Sequence, residues 1–134
     1  MRRIYLDSCI LIYLIEKHPV FGATILRRLV MNPEARLAVS PLVRLEVLTR
    51  PLREKDIPLI NAYERFIATQ QVLPVSAASF DLALHLRVRY RLKTPDALHL
   101  AIAQSHGCAE VWTHDSRLHE AASDQAVNVL ATIR

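Results

Sequence analysis

Short apolar runs alternate with longer helical patterns along this chain of 134 residues, and the alternation restricts the folds open to it. Five runs are typical of short strands and lie at residues 4–6, 36–39, 71–74, 110–113 and 126–129. Strands that alternate with helices usually form a parallel sheet covered by helices on both faces. The sequence therefore predicts one α/β domain over residues 1–134, with a central, mostly parallel sheet of about five short strands flanked by helices.

The helical patterns have recognisable beginnings and ends. Helices are expected at residues 9–15, 20–31, 41–50, 56–70, 77–91, 94–106 and 116–122. Ser40 and Thr94 each precede a proline and begin the third and sixth helices, because proline is tolerated in a first helical turn. Pro51 is expected to end the third helix, and Gly107 is expected to cap the C-terminus of the sixth.

The composition fits a compact domain and excludes two common classes of nucleotide site. Hydrophobic residues make up 51% and charged residues 22% of the chain, which suffices for a core and argues against disorder. With only 2 glycines a glycine-rich phosphate loop is absent, which excludes P-loop and dinucleotide sites. The net charge of +4 is compatible with a polyanionic partner but is weak support alone. Cys9 and Cys108 lack metal-thiolate spacing and are interpreted as small buried hydrophobic residues.

The N-terminus superficially resembles a signal peptide, because Arg2 and Arg3 precede an apolar run. Asp7 interrupts that run, Glu16 and Lys17 follow it, and no small-residue cleavage site is convincing. The run is also too short to cross a membrane. We therefore expect a cytoplasmic protein without membrane association.

Four carboxylates lie at strand ends or within apolar helices, where a charge is unfavourable without a partner or a function. They are Asp7 after the first strand, Glu46 in the third helix, Asp96 in the first turn of the sixth helix, and Asp115 after the fourth strand. Each alone has an ordinary explanation as a cap, a dipole partner or, for Glu46, a surface pair with Arg50. In a right-handed α/β layout, however, all four positions can converge on one edge of the sheet. Their conjunction predicts one shared acidic site.

Basic residues precede one of these acids. Arg87, Arg89, Arg91 and Lys93 lead into the helix that contains Asp96. Side chains of this kind contact phosphates and give affinity without reading sequence. A solvated helix face explains them equally well, so they are candidate substrate contacts only.

Three of the 6 histidines lie close to these motifs. His99 and His106 fall on an apolar helix and are interpreted as core residues. His114 lies beside Asp115 and is the histidine that we consider as a contact for substrate or metal.

The four acidic segments resemble those of a known family. They read Tyr-Leu-Asp-Ser at residues 5–8, Ser-Pro-Leu-Val-Arg-Leu-Glu-Val at 40–47, Thr-Pro-Asp-Ala-Leu-His-Leu-Ala at 94–101 and Thr-His-Asp-Ser-Arg-Leu at 113–118. In order and spacing they are similar to the four acidic motifs of PIN domains, and more narrowly to the VapC-type toxins of bacterial and archaeal toxin–antitoxin pairs. The resemblance covers nearly the whole chain. Cys9 and His114 stand where the family often has asparagine, and neither departure removes a carboxylate.

The resemblance implies a three-layer PIN-like fold and a ribonuclease that depends on Mg²⁺ or Mn²⁺. A carboxylate cluster without a cysteine or histidine motif agrees with this, because hard cations prefer oxygen ligands. Asp7 and Asp96 are then the expected direct ligands of the primary metal. Asp115 and Glu46 would bind through water or hold a second ion, and Glu46 would also orient the attacking water.

Neighbouring hydroxyl groups and partner molecules complete this expectation. Ser8 and Thr113 are candidate hydrogen-bond donors to the carboxylates, although capping and a strand-end position explain them equally well. For a toxin, the resemblance implies an RNA substrate, a cognate antitoxin that inhibits the protein, and a homodimer as the working unit.

Two other classes of phosphate chemistry are excluded by the residues, and two alternative functions stay open. Receiver-type domains need an acidic pair at the first strand and a late-strand lysine, and haloacid-dehalogenase-like phosphatases need a second aspartate at the position of Cys9. The chain has none of these features. Two alternatives stay open: a PIN nuclease of RNA processing that is not a toxin, and a PIN-like RNA-binding module without catalytic activity.

Overall fold

The computed structural model describes residues 2–114, 116–122 and 126–127, and strands and helices alternate within these ranges. The strands are β1 (Arg3–Leu6), β2 (Arg36–Val39), β3 (Gln71–Val72), β4 (Glu110–Trp112) and β5 (Ala126–Val127). The helices are α1 (Ser8–Ile15), α2 (Phe21–Val30), α3 (Pro41–Arg53), α4 (Ile57–Ala68), α5 (Ala77–Tyr90), α6 (Thr94–Ser105) and α7 (Ser116–Ala122). Residues 128 and 129 of the expected last strand lie outside the described residues. In the described part, no helix combines the length and the apolar character needed to span a membrane.

Strand β1 lies in the middle of the sheet. The strand order is β3-β2-β1-β4-β5, and each neighbouring pair is parallel. Tyr5 of β1 is in register with Ala38 of β2 and with Val111 of β4. Asp7 directly follows β1, so it lies at the carboxyl edge of the sheet, where α/β folds place their ligand sites. The prediction of an α/β domain with a parallel sheet of about five strands is confirmed.

The core is densest around β1 and α6. Residues 4–6 have no exposed surface, as expected for a strand that is paired on both sides. Residues 97–103 of α6 are all buried, which explains the apolar sequence of this helix. Asp7 follows β1 and Asp96 lies in the first turn of α6. Burial of these two elements therefore fixes the backbone from which both carboxylates extend.

A polar cluster ties α3 to α1 and α4. Tyr63 donates a hydrogen bond to Glu16 Oε2 at 2.5 Å. Burial, together with this hydrogen bond, raises the pKa of Tyr63, so its hydroxyl remains a donor. Arg50 pairs with Glu16 and with Glu54 rather than with Glu46, so the surface pair considered from the sequence does not form in the described structure.

Of the two helix boundaries near Pro51 and Pro95, one differs from the prediction. Helix α3 continues through Pro51 to Arg53 instead of ending before Pro51. Proline keeps a helical φ and removes one backbone hydrogen bond, a loss that the last turn of a helix tolerates when the ring itself is buried, as here. Helix α6 begins at Thr94, as predicted, with Lys93 as N-cap, and Asp96 is its third residue.

Ser40 is the cap of α3, the helix that contains Glu46. Its Oγ accepts the N–H of Val43 at 3.3 Å and lies 2.8 Å from Tyr5 Oη in the core. We expect Ser40→Ala to lower the free energy of unfolding by about 2–3 kcal/mol, because it removes a cap and a buried partner together. The matched change Ser76→Ala removes an exposed cap of α5 and should cost about 1 kcal/mol. Urea unfolding measures both values, and equal losses would contradict the prediction.

Candidate active site

Asp7 is a buried carboxylate that is held through both oxygens. Asp7 caps α1, and its Oδ1 accepts the N–H of Ser8 at 2.7 Å. Its Oδ2 accepts a hydrogen bond from the hydroxyl of Thr113 at 2.9 Å, just beyond β4. Only 7% of Asp7 is exposed, so these donors replace water that the carboxylate loses on folding. The orientation of the carboxylate is therefore fixed by α1 and by the end of β4.

Glu46 reaches the same site from α3. Its Oε1 accepts hydrogen bonds from Ser8 Oγ at 2.5 Å and from His99 Nε2 at 2.6 Å. Burial raises the pKa of Glu46, but the hydrogen bonds from His99 and Ser8 and the attraction of His99 outweigh it, so the pKa is lower than usual. The carboxylate of Glu46 is therefore ionised at neutral pH.

His99 links Glu46 to the core of the sheet. Its Nδ1 lies 2.6 Å from Tyr5 Oη, which in turn lies 2.8 Å from Ser40 Oγ. Because ionised Glu46 only accepts hydrogen bonds, the facing Nε2 of His99 must hold a proton. In the neutral imidazole, Nδ1 then accepts from the Tyr5 hydroxyl, whose pKa is raised by burial. His99 is 1% exposed, as a core residue would be, yet it also binds a carboxylate of the site.

Three carboxylates line one cavity of about 520 Å³. Asp7 enters it from the end of β1, Glu46 from α3, and the half-buried Asp96 from the first turn of α6. The neutral side chains and histidines of the lining are Ser8, Cys9, Tyr13, His99 and His114. Asp115, the fourth predicted acid, lies outside the described residues. The described acids therefore share one concave space although they are far apart in the sequence.

The donor chemistry of the cavity suits a hard divalent cation. Carboxylate and hydroxyl oxygens are the ligands that Mg²⁺ and Mn²⁺ prefer, and Mg²⁺ commonly retains several waters. Among the described residues, no three Asp, Glu, His or Cys side chains are grouped so that they could hold a metal ion. An ion held by one or two carboxylates and by water fits these residues better than a closed cage.

Cys9 contributes a weak donor beside Asp7. Its Sγ lies 3.8 Å from Asp7 Oδ2. Burial, followed by the negative charge of Asp7, raises the pKa of the Cys9 thiol to about 12, so the thiol remains protonated. Cysteine in place of the asparagine that is frequent in the family thus still offers a hydrogen-bond donor to the first carboxylate.

The predicted substrate contacts fall into two groups. His114 is exposed and lines the cavity. Arg87, Arg89, Arg91 and Lys93 are also exposed, but they lie at the end of α5 and before α6 and do not belong to the cavity lining. Arg87 also donates a hydrogen bond to a backbone carbonyl of that connection, so part of its role is structural. Phosphate contacts from these four basic residues stay a prediction.

Tyr13 is a cavity residue that the sequence did not single out. It lies four positions after Cys9 on α1, and residues with this spacing share one face of a helix. That spacing was the available signal. His106, in contrast, was wrongly interpreted as core, because it is the half-exposed C-cap of α6 and its Nε2 contacts the Pro74 carbonyl at 3.0 Å.

Comparisons with known proteins agree with this fold and order of acids. The family model of the PIN domain matches residues 4–124. The chain belongs to the PIN-domain family. A protein named Ribonuclease VapC46 from Mycobacterium tuberculosis is 35% identical to this PIN domain over 133 residues, which is 98% of each chain. This similarity places the chain among the VapC members of the family.

Solved structures with the same fold include proteins of toxin–antitoxin systems. A toxin–antitoxin complex from Klebsiella pneumoniae matches at a TM-score of 0.77 and 25% identity, covering 94% of this PIN domain and 97% of that chain. VapBC2 from Rickettsia felis, bound to a DNA fragment from its promoter, matches at a TM-score of 0.78 and 17% identity. The match covers 93% of this PIN domain and 97% of that chain. Mycobacterium tuberculosis VapC20, described as a sarcin-ricin loop cleaving toxin, matches at a TM-score of 0.72 and 20% identity. The match covers 88% of this PIN domain and 94% of that chain. The last two likenesses show a shared fold alone.

Removal of the His99 imidazole should raise the pKa of Glu46. His99→Leu deletes a hydrogen-bond donor and keeps the position apolar, so of the interactions that lower this pKa against burial only the hydrogen bond from Ser8 remains. His99→Gln is the matched control, because its amide can still donate to Glu46. Carbon-13 NMR titration of the glutamate side chains in EDTA measures the shift. An unchanged or lower pKa in His99→Leu would refute the contribution of this hydrogen bond.

The lowered pKa of Glu46 should make stability depend on pH. The unfolded chain binds the proton of this carboxyl group first as the pH falls, because its pKa is higher there. The stabilisation is therefore complete above the ordinary carboxyl pKa of about 4.3 and is lost as the pH falls through the folded value. We expect Glu46→Gln to lose less stability on acidification than the parent in urea unfolding with EDTA. Parallel losses in the two proteins would count against this linkage.

Proposed function

We propose that this PIN domain is a metal-dependent endoribonuclease and the toxin of a toxin–antitoxin pair. The observation that supports the proposal most directly is the cavity shared by Asp7, Glu46 and Asp96, in a chain that is 35% identical to a protein named a ribonuclease. Carboxylates grouped in one cavity repel one another and therefore cost stability. Hydrolysis of an RNA phosphodiester bond gives this grouping a function.

Asp7 and Asp96 would hold the primary Mg²⁺ or Mn²⁺, and Glu46 and Asp115 would bind through water or hold a second ion. When bound, the cation supplies a water of lowered pKa and neutralises charge at the scissile phosphate. Asp7 suits direct ligation because hydrogen bonds to both of its oxygens fix its orientation. Asp96 extends from the first turn of the buried helix α6, so the backbone that carries it is fixed by the core.

Glu46 would orient the attacking water. Its lowered pKa keeps the carboxylate ionised at neutral pH, so it accepts a hydrogen bond from water rather than donating one. Ser8 and His99 both bind Oε1, which anchors the group through one oxygen. The other oxygen, Oε2, would then receive the hydrogen bond of the water and hold it for attack on phosphorus.

Asp7→Asn and Asp96→Asn test the site. Each variant keeps the shape of the side chain and removes its charge, so we expect kcat/KM for RNA cleavage with Mg²⁺ or Mn²⁺ to fall at least about 100-fold. Asp81→Asn is the matched control, because Asp81 is exposed on α5 and should tolerate the change without loss of cleavage. EDTA should abolish cleavage, and added Mn²⁺ should restore it. Metal-independent cleavage, or full activity in both site variants, would refute the assignment of Asp7 and Asp96 as metal ligands.

Exposed apolar side chains support the proposed partners. Large hydrophobic residues are exposed on α2 and α5, namely Leu26, Val30, Phe80, Leu84 and Val88. Exposed apolar patches commonly mark protein interaction surfaces. An antitoxin and a second copy of the chain would cover such surfaces, in keeping with the toxin–antitoxin complexes of similar fold. A toxin of this kind would cleave RNA in the cytoplasm.

Expression in cells distinguishes a toxin from an RNA-processing nuclease. We expect expression of the chain to arrest growth, the Asp7→Asn variant to be harmless, and a small protein encoded beside its gene to relieve the arrest. Size-exclusion chromatography with light scattering then measures the homodimer and its complex with that protein. RNA cleavage without growth arrest would favour the processing nuclease. Failure to cleave any RNA under any metal would favour the RNA-binding module.

A further inference from the structure

Four aromatic rings pack together at the rim of the acidic cavity. They form what we call the ring cluster: Tyr13 of α1, His18 and Phe21 before and at the start of α2, and His114 after β4. The ring centroid of Tyr13 lies 4.9 Å from that of His18 and 5.2 Å from that of Phe21. His114 meets Phe21 at 5.0 Å and Tyr13 at 5.8 Å, edge to face in both cases. These separations are typical of favourable aromatic contacts.

The ring cluster has an inner and an outer pair. The inner rings, His18 and Phe21, stack at a centroid distance of 4.7 Å. His18 Nδ1 also accepts two backbone N–H groups at the start of α2, so the inner pair fastens the first turn of this helix. The outer rings, Tyr13 and His114, line the cavity together with the carboxylates. The inner pair therefore has a structural role in folding, whereas the outer pair faces the cavity of the proposed active site.

His114 is exposed and nevertheless held in one orientation. Its Nδ1 lies 3.3 Å from the Tyr13 hydroxyl, and its ring packs against Tyr13 and Phe21 at interplanar angles of 70° and 69°. Ordering an exposed side chain has an entropic cost. A ring that is already ordered at the mouth of a cavity reduces the cost of binding a flat ligand there.

The charge of the cavity indicates which part of an RNA these rings would bind. Its described lining contains three carboxylates and no lysine or arginine. A bound cation would neutralise the scissile phosphate, but this lining offers no cationic side chain to the rest of the nucleotide, so further affinity at the rim would come from uncharged groups. Bases stack on aromatic rings irrespective of phosphate charge, and proteins commonly hold unpaired RNA bases in this way. Bases of a duplex are already stacked on one another, so the rings suit a single strand or a loop.

We propose that Tyr13 and His114 bind one unpaired RNA base beside the phosphate on which Asp7 and Asp96 act, with the base stacked on one ring and in contact with the edge of the other. The inference rests on the proposed function and adds to it the two residues that bind a base. Tyr13 and His114 contact the base, and the inner pair of the ring cluster supports them.

Two probes of equal charge separate affinity for bases from affinity for phosphates. One is an oligoadenylate of about 12 nucleotides, and the other is an abasic ribose-phosphate strand of the same length. Fluorescence anisotropy gives Kd for both in an Asp7→Asn background with Mg²⁺, chosen to bind RNA without cleaving it. We expect the oligoadenylate to bind about 5- to 100-fold more tightly than the abasic strand.

Variants of the outer pair test where this preference originates. Tyr13→Leu and His114→Ala should each weaken oligoadenylate binding several-fold and leave binding of the abasic strand unchanged. Tyr13→Phe keeps the ring and should retain the preference. Tyr90→Leu is the matched control, because Tyr90 lies on α5 outside the cavity lining. Equal losses for both probes would show a structural role only, and an undiminished preference in Tyr13→Leu and His114→Ala would likewise overturn the proposal.

A cleavage assay of the chain with intact Asp7 separates the test of the base-binding site from the test of the proposed nuclease activity. A base preference without cleavage of any RNA contradicts the nuclease and leaves the base-binding site in place. Cleavage without a base preference contradicts the stacking site alone. Circular dichroism reports whether each variant folds. If Tyr13→Leu does not fold, His114→Ala decides the outcome, because His114 is exposed and its truncation leaves the core intact.

Discussion

The hydrogen bonds to the carboxylate of Asp7 are the constraint on which the site depends. This group lies at the end of the central strand β1 and is 7% exposed, so it needs donors from its immediate surroundings. The N–H of Ser8 and the hydroxyl of Thr113 supply them, one from the start of α1 and one from the end of β4. The same two bonds therefore compensate for burial, join neighbouring elements and orient a carboxylate of the cavity.

The other acids follow from the topology around β1. Parallel strands place their carboxyl ends at one edge, so the helices that follow β1 and β2 both begin there. Glu46 lies one turn and a half inside α3 and reaches the edge because Ser40 anchors the start of that helix to Tyr5. His99 completes the connection, since it bridges Tyr5 and Glu46 from the buried helix α6. A continuous hydrogen-bonded path thus runs from the core of the sheet to a carboxylate of the cavity.

Local signals were sufficient for the fold and for the grouping of Asp7, Glu46 and Asp96, because caps, strand ends and parallel crossovers follow from short stretches of sequence. The hydrogen bond between Glu46 and His99 could not be predicted from local signals. The bonds of His99 to Tyr5 and Glu46 join residues that are 94 and 53 positions apart. An apolar helical pattern indicates only that such a histidine is buried. The end of α3 was wrongly predicted for a related reason. The helix tolerates Pro51 because the ring is buried, and local sequence rules do not predict this packing.

The cavity has an electrostatic conflict that its surroundings resolve. Its carboxylates attract a divalent cation, but they repel the phosphates of the RNA that the proposed reaction requires. The exposed basic residues of α5 and its connection to α6 stand outside the lining, where they can attract the RNA backbone without pairing with the acids. In the cavity lining itself, Tyr13 and His114 offer contacts that do not depend on charge. In the proposed reaction the acids would thereby keep their charge for the metal, while affinity for RNA would come from groups that do not neutralise them.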